Sequence, residues 1–196
     1  METARALVIG LGNPGIEYQR TRHNAGFAVL GILADRHSAR FRRSVLGPRA
    51  ETAHVVLGAV DVLLVRPLTY MNLSGEAVRP LVRKAGYTEQ EILMVYDDMD
   101  IPFGRVRVRP GGSPAGHKGA GSVIAVVGTD RLPRIRIGIG RPHDGVDTAD
   151  FVLAPVSGRD RPEWDRALER AADAVEVAVL EGVEAAMNRF NGGGGS

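Results

Sequence analysis

Three stretches of this chain gather side chains that could move a proton and steady a developing oxyanion. Residues 10–27 read G-L-G-N-P-G-I-E-Y-Q-R-T-R-H-N-A-G-F and carry Asn13, Tyr18, His23 and Asn24. Residues 66–75, R-P-L-T-Y-M-N-L-S-G, offer Met71, Asn72 and Ser74. Residues 95–104, V-Y-D-D-M-D-I-P-F-G, offer Asp97, Asp98 and Asp100. Histidine is the side chain whose ordinary pKa suits proton transfer near neutral pH. A buried aspartate can orient the ring and stabilise the imidazolium, while amide N–H groups donate to an oxyanion. That division of labour fits hydrolysis of an ester by activated water. No protein nucleophile is signalled, since the chain has no cysteine and no G-x-S-x-G elbow.

The elements around these stretches decide whether the groups can meet. Strand-like apolar runs occur at 6–10, 53–57, 60–66, 92–96, 105–109 and 134–139, and helical patterns at 24–37, 72–85, 118–127 and 162–188. Pro80 is a possible kink in the second helix, and the stripe Trp164, Leu168, Ala171, Ala172, Val175, Val179, Val183 reads as core. Strands alternating with helices predict an α/β fold: a single domain over 1–191, with a twisted, mixed and mostly parallel sheet flanked by helices and a long C-terminal helix. Gly58 and Ala59 separate two runs closely enough for an antiparallel hairpin. In an open α/β sheet the carboxyl ends of the strands line one crevice, so His23, Asn72 and Asp97 are expected to converge there. A flexible Gly/Ser tail follows at 192–196.

One rival reading competes for the first stretch. Gly10, Gly12 and Gly15 satisfy G-x-G-x-x-G, and Asp35 lies twenty positions after Gly15, as in a dinucleotide fold. That motif needs a helix opening inside the glycines. Here Pro14 intervenes and the helical period starts only after Asn24. An oxidoreductase is therefore the weaker reading.

Composition sets the remaining bounds. At 44% hydrophobic and 24% charged residues the chain reads as an ordinary globular domain with no membrane span and no secretory leader. Absence of cysteine excludes disulfides, thiolate metal sites and thiol catalysis, and a cytoplasmic location is expected. The net charge of +2 hides an asymmetry. Residues 105–141 hold eight basic groups and one acid, whereas 144–184 hold eleven acids and four arginines. The basic segment points to a polyanion, most simply nucleic acid. Asp97, Asp98 and Asp100 could suggest Mg²⁺, but no H-x-x-H or H-E-x-x-H accompanies them and turn capping accounts for some. Neither a metal nor a cofactor is expected. The segment R-P-G-G-S-P-A-G-H-K-G, 109–119, lacks G-K-[ST] and reads as a glycine-rich lid or a plain surface loop.

Taken in order, these motifs resemble the bacterial-type peptidyl-tRNA hydrolase family: G-L-G-N-P-G with Y-x-x-T-R-H-N-x-G-F, P-x-T-Y-M-N-x-S-G, D-D-x-D-x-P-x-G, G-G-S-x-x-G-H and R-I-R-I-G-I-G-R-P. The resemblance spans residues 7–188. It implies a monomeric, metal-independent hydrolase that cleaves the ester between a peptide and the 3′ end of tRNA, recycling tRNA from aborted translation. His23 would activate water and Asp97 support it. Asn13 and Asn72 would bind the peptide main chain and position substrate or water, and Tyr18 and Met71 would shape the pocket. Arg109 and Arg136 would clamp the tRNA 5′ phosphate. Two positions depart from the pattern. Lys118 stands where asparagine is usual in the lid, and its amine would still donate while adding charge near the tRNA backbone. Tyr96 stands where histidine is common, beside Asp97. A non-catalytic RNA-binding protein on the same fold is the alternative from another class.

Overall fold

Among the described residues, seven strands form one mixed sheet. The structure, a computed structural model, describes residues 4–43 and 49–192, so most of the predicted Gly/Ser tail lies outside the described residues. The elements run β1 (Arg5–Gly10), α1 (Ala25–Arg36), β2 (Arg42–Arg43), β3 (Ala50–Leu57), β4 (Val60–Pro67), α2 (Ser74–Lys84), β5 (Ile92–Asp98), β6 (Val106–Arg109), α3 (Lys118–Val127), β7 (Arg134–Gly138), α4 (Thr148–Leu153), α5 (Arg161–Leu180) and α6 (Val183–Phe190). Sheet order is β2-β3-β4-β1-β5-β7-β6. The four central strands β4, β1, β5 and β7 are parallel, and β2–β3, β3–β4 and β6–β7 are antiparallel. The chain leaves β1, builds β2 to β4 on one side, then returns to place β5 on the other. That reversal at β1 is where a crevice forms at the strand carboxyl ends.

Both faces of the sheet are covered, which is why its central strands are apolar nearly throughout. One core joins Val8, Val62, Leu64, Val95 and Ile137 to α1, α5 and α6 through residues such as Leu30, Trp164, Ala171 and Phe190. The second joins Leu7, Ile9, Met94 and Tyr96 to α2 and α3 through Val78, Ala120 and Val123. The predicted strands agree with the observed ones to within a few residues, and the 58–59 hairpin is present with Gly58 at φ 57.

Departures from expectation have local causes. Helix α2 starts at Ser74, because Met71–Leu73 forms a 3₁₀ turn first, and it runs past Pro80 without a break. The helix expected over 162–188 is two: α5 stops at Leu180, and Gly182 at φ 94 turns the chain into α6. Only glycine takes that backbone freely. The short β2 and α4 carry too little periodicity to be anticipated. Among the described residues no helix is long and apolar enough to cross a membrane.

Candidate active site

Three strand ends deliver the expected groups to one place. Past β1 the chain makes 3₁₀ turns at Ile16–Tyr18 and Arg22–Asn24 before α1 begins at Ala25. Asn24, 2% exposed, fixes this loop: its Oδ1 accepts the Asn13 N–H at 2.9 Å and its Nδ2 donates to the Asn13 carbonyl at 3.0 Å. Asn24 is therefore a brace for the loop. Asn13 in turn accepts the Met71 N–H on Oδ1 at 2.8 Å, which locks the loop after β1 to the loop after β4 and leaves its Nδ2 without a protein partner among the described residues.

The His23 Nδ1 lies 3.0 Å from each carboxylate oxygen of Asp97, at the end of β5. Nδ1–H donates, and Nε2 has no hydrogen bond to the protein among the described residues. A second histidine joins them. His117 caps α3 by accepting the Ala120 N–H on Nδ1 at 3.2 Å, so its proton sits on Nε2, which donates to Asp97 Oδ1 at 3.2 Å. Burial alone would push the Asp97 carboxyl up. The charge of His23 and the N–H bonds from His117 and His23 outweigh it and hold the group far below the usual carboxylate range. The carboxylate is thus ionised and doubly oriented, and with Nδ1 committed to it, Nε2 is the nitrogen of His23 left facing the cleft to exchange a proton with water.

These groups open onto a cleft of about 1270 Å³. Tyr18, Met71, Asn72 and Lys118 line it as expected. Met71 is 5% exposed and packs its sulfur beneath Gly119, whereas Asn72 and Lys118 are exposed and hydrogen-bond to nothing in the protein among the described residues. Helix α4 forms one wall with Val152 and Leu153. It is tied to the His23 loop by Arg22, whose Nη1 donates to Ala154 O at 3.2 Å and whose guanidinium stacks on Phe151 at 4.6 Å.

The acidic patch is occupied from within. Asp98 accepts from Arg136 at 2.9 Å and from the Asp100 N–H at 2.8 Å, and Asp100 pairs with Arg141 at 2.5 Å. Among the described residues, His23, Asp97 and His117 are the group with ligand-type atoms close enough for a metal, within 4.8 Å of one another. Their contacts to Asp97 are all hydrogen bonds already described.

A family model for peptidyl-tRNA hydrolase matches residues 7–195. This chain belongs to the peptidyl-tRNA hydrolase family. Peptidyl-tRNA hydrolases of Chloroflexus aggregans and Rubrobacter xylanophilus are 45% and 47% identical to it over 188 and 183 residues, covering 94% and 93% of this chain and 98% of each relative. The crystal structure of peptidyl-tRNA hydrolase from Acinetobacter baumannii superposes with a TM-score of 0.89 at 32% identity, covering 98% of this chain and 97% of that one.

Within this peptidyl-tRNA hydrolase fold, the two expected phosphate ligands differ. Arg109 ends β6 and is exposed. Arg136 has a side chain 12% exposed and is paired with Asp98. Antiparallel β6–β7 pairing sets Arg109 opposite Arg134 and Arg107 opposite Arg136, so the four project from one face of the hairpin. His117 is the site residue that the sequence does not single out. It closes the G-G-S-x-x-G-H motif and stands immediately before the first residue of α3, where a side-chain cap is wanted, but neither signal gives it a role in the site.

Proposed function

We propose that this chain hydrolyses the ester joining a peptide, or an N-blocked aminoacyl group, to the 3′ end of tRNA. The observation that carries the proposal is the His23–Asp97–His117 cluster facing a cleft lined by unpartnered amides. His23 Nε2 takes a proton from water as that water attacks the ester carbonyl. Asp97 stabilises the imidazolium formed, held in place by His117. The Asn13 and Asn72 amides donate to the oxyanion, an interaction worth about 10² to 10³ in rate per donor. Collapse of the tetrahedral intermediate breaks the bond to the ribose oxygen, and the proton on His23 goes to that oxygen. Tyr18 and Met71 shape the pocket, Lys118 adds a cation at its rim, and Arg109 with Arg136 meets the tRNA phosphates.

The test is release of free tRNA from N-blocked aminoacyl-tRNA, with and without EDTA in a buffer that keeps the tRNA folded. Turnover that survives EDTA is expected. Binding of the tRNA without release overturns the proposal and leaves a non-catalytic RNA-binding protein.

A further inference from the structure

Arg134 is 1% exposed and among the largest fully buried side chains of the protein. Its hydrogen bonds all go to uncharged oxygens. Nε donates to Leu132 O at 3.0 Å, Nη2 to Asp130 O at 2.8 Å, and Nη1 to Ser113 O at 3.1 Å and Tyr96 Oη at 3.4 Å. Burying a guanidinium without a carboxylate is unfavourable, and an apolar side chain of similar volume usually packs at least as well. Stability alone therefore does not account for this choice of residue. What arginine does here, and lysine cannot, is reach three separate segments at once with a rigid fork: the loop after α3, the end of β5, and the glycine-rich loop between β6 and α3.

Both of the latter lead to His117. The glycine-rich loop runs from Arg109 to His117 and contains Ala115 at φ 47 and Gly116 at φ 80 immediately before the histidine. Left-handed backbone at a residue with a Cβ is unfavourable and persists only where the surroundings impose it. Arg134 supplies an anchor at Ser113, two residues upstream of Ala115, and the Gly112 N–H adds a bond of 2.8 Å to the same Asp130 carbonyl that Arg134 holds. Tyr96 supplies the second route. Its ring packs on the His117 ring with centroids 4.6 Å apart, and its hydroxyl faces Arg134.

We propose that Arg134 is a positioning residue for the site: through the glycine-rich loop and Tyr96 it holds His117 against Asp97. The proposal rests on the catalytic reading above for its effect on rate, but the placement of His117 is measurable without turnover. Arg134→Lys keeps a basic group and most of the stem and loses the fork, and Arg134→Met removes every polar atom of the side chain. In each, the His117 imidazole resonance is followed by NMR well below the melting temperature, and kcat and KM are measured on N-blocked aminoacyl-tRNA at that same temperature. The expected result is a displaced or broadened His117 resonance in both variants, with kcat reduced about tenfold to a hundredfold, the scale of an ångström misplacement, and KM changed less. A wild-type His117 resonance and wild-type kcat, with only the melting temperature lowered, overturn the proposal and make Arg134 a core strut. If the wild type itself releases no tRNA, the hydrolase reading fails while the resonance still decides the placement. Should neither arginine variant fold, Tyr96→Phe keeps the ring and removes only the hydroxyl. The same two readings apply to it, and unmoved values there overturn the proposal.

Discussion

Asp97 is the residue on which both histidines turn. Two N–H donors, from His23 Nδ1 and His117 Nε2, meet a carboxylate that is 2% exposed. Its pKa is held down in the folded protein, so it contributes stability that is present above the ordinary aspartate value of about 3.9 and is lost as pH falls below it. Asp97→Asn removes that contribution. The gap in melting temperature between wild type and variant should be widest near neutral pH and close as pH drops from about 5 towards 2. A gap independent of pH would mean that Asp97 is not held ionised by the histidines. The same variant should lose kcat by up to about 10⁴, because asparagine can hold His23 in the wrong tautomer. His23, Asp97, Asn13, Asn72, Tyr18, Met71 and Lys118 could all be picked out from residue type and motif, and all border one cleft. His117 and Arg134 lie within the motifs as well, but their roles could not be read there, since those depend on which groups the loops bring within reach of them.

At the scale of elements, the approach of α1 to the sheet decides where His23 stands. A Cβ on Gly26 would lie 2.3 Å from both Leu11 N and Val95 O, the two atoms of a 2.9 Å hydrogen bond that joins the end of β1 to β5. Gly10 is as crowded, its Cβ position lying 2.5 Å from Gly26 O. Close packing of helix on strand, and not a phosphate, explains these glycines. Because α1 begins at Ala25, ten residues after Gly15, no α-helix opens within the glycine motif, which leads only into the 3₁₀ turn Ile16–Tyr18, and Asp35 falls in the last turn of α1. Both features remove the dinucleotide reading. Gly26→Ala should destabilise the protein by about 1–3 kcal/mol, as overpacking does, with the urea midpoint as the measure. An unchanged midpoint would contradict the packing described here. The spacing of apolar residues was enough to place most strands and helices. It was silent on the break before α6, where one glycine between two helical stretches changes direction without disturbing the pattern.

Across the whole molecule, charge is distributed by sequence segment and by use. The acidic stretch supplies α5 with Glu169, Asp173 and Glu176, which engage Arg36 of α1 and tie helix to helix. The basic stretch builds the β6–β7 edge, leaving Arg109 exposed at the end of β6, and adds Lys118 and Arg141 to the lining of the cleft. Composition showed the asymmetry but not how much of it is internally committed, since Arg134 and Arg136 are enclosed by partners far apart in sequence. If Arg109 meets a phosphate, Arg109→Ala should raise KM and lower the slope of log KM against log salt by about 1, leaving kcat nearly intact. An unaltered slope removes Arg109 from the RNA contact. The central claim is that His23 activates water, and the most direct test compares wild type with His23→Ala on N-blocked aminoacyl-tRNA under single-turnover conditions, alongside the affinity of each for the tRNA. The cleavage rate should fall by about 10² to 10⁴ while affinity stays within a few fold, and a variant that still cleaves at the wild-type rate would contradict the mechanism.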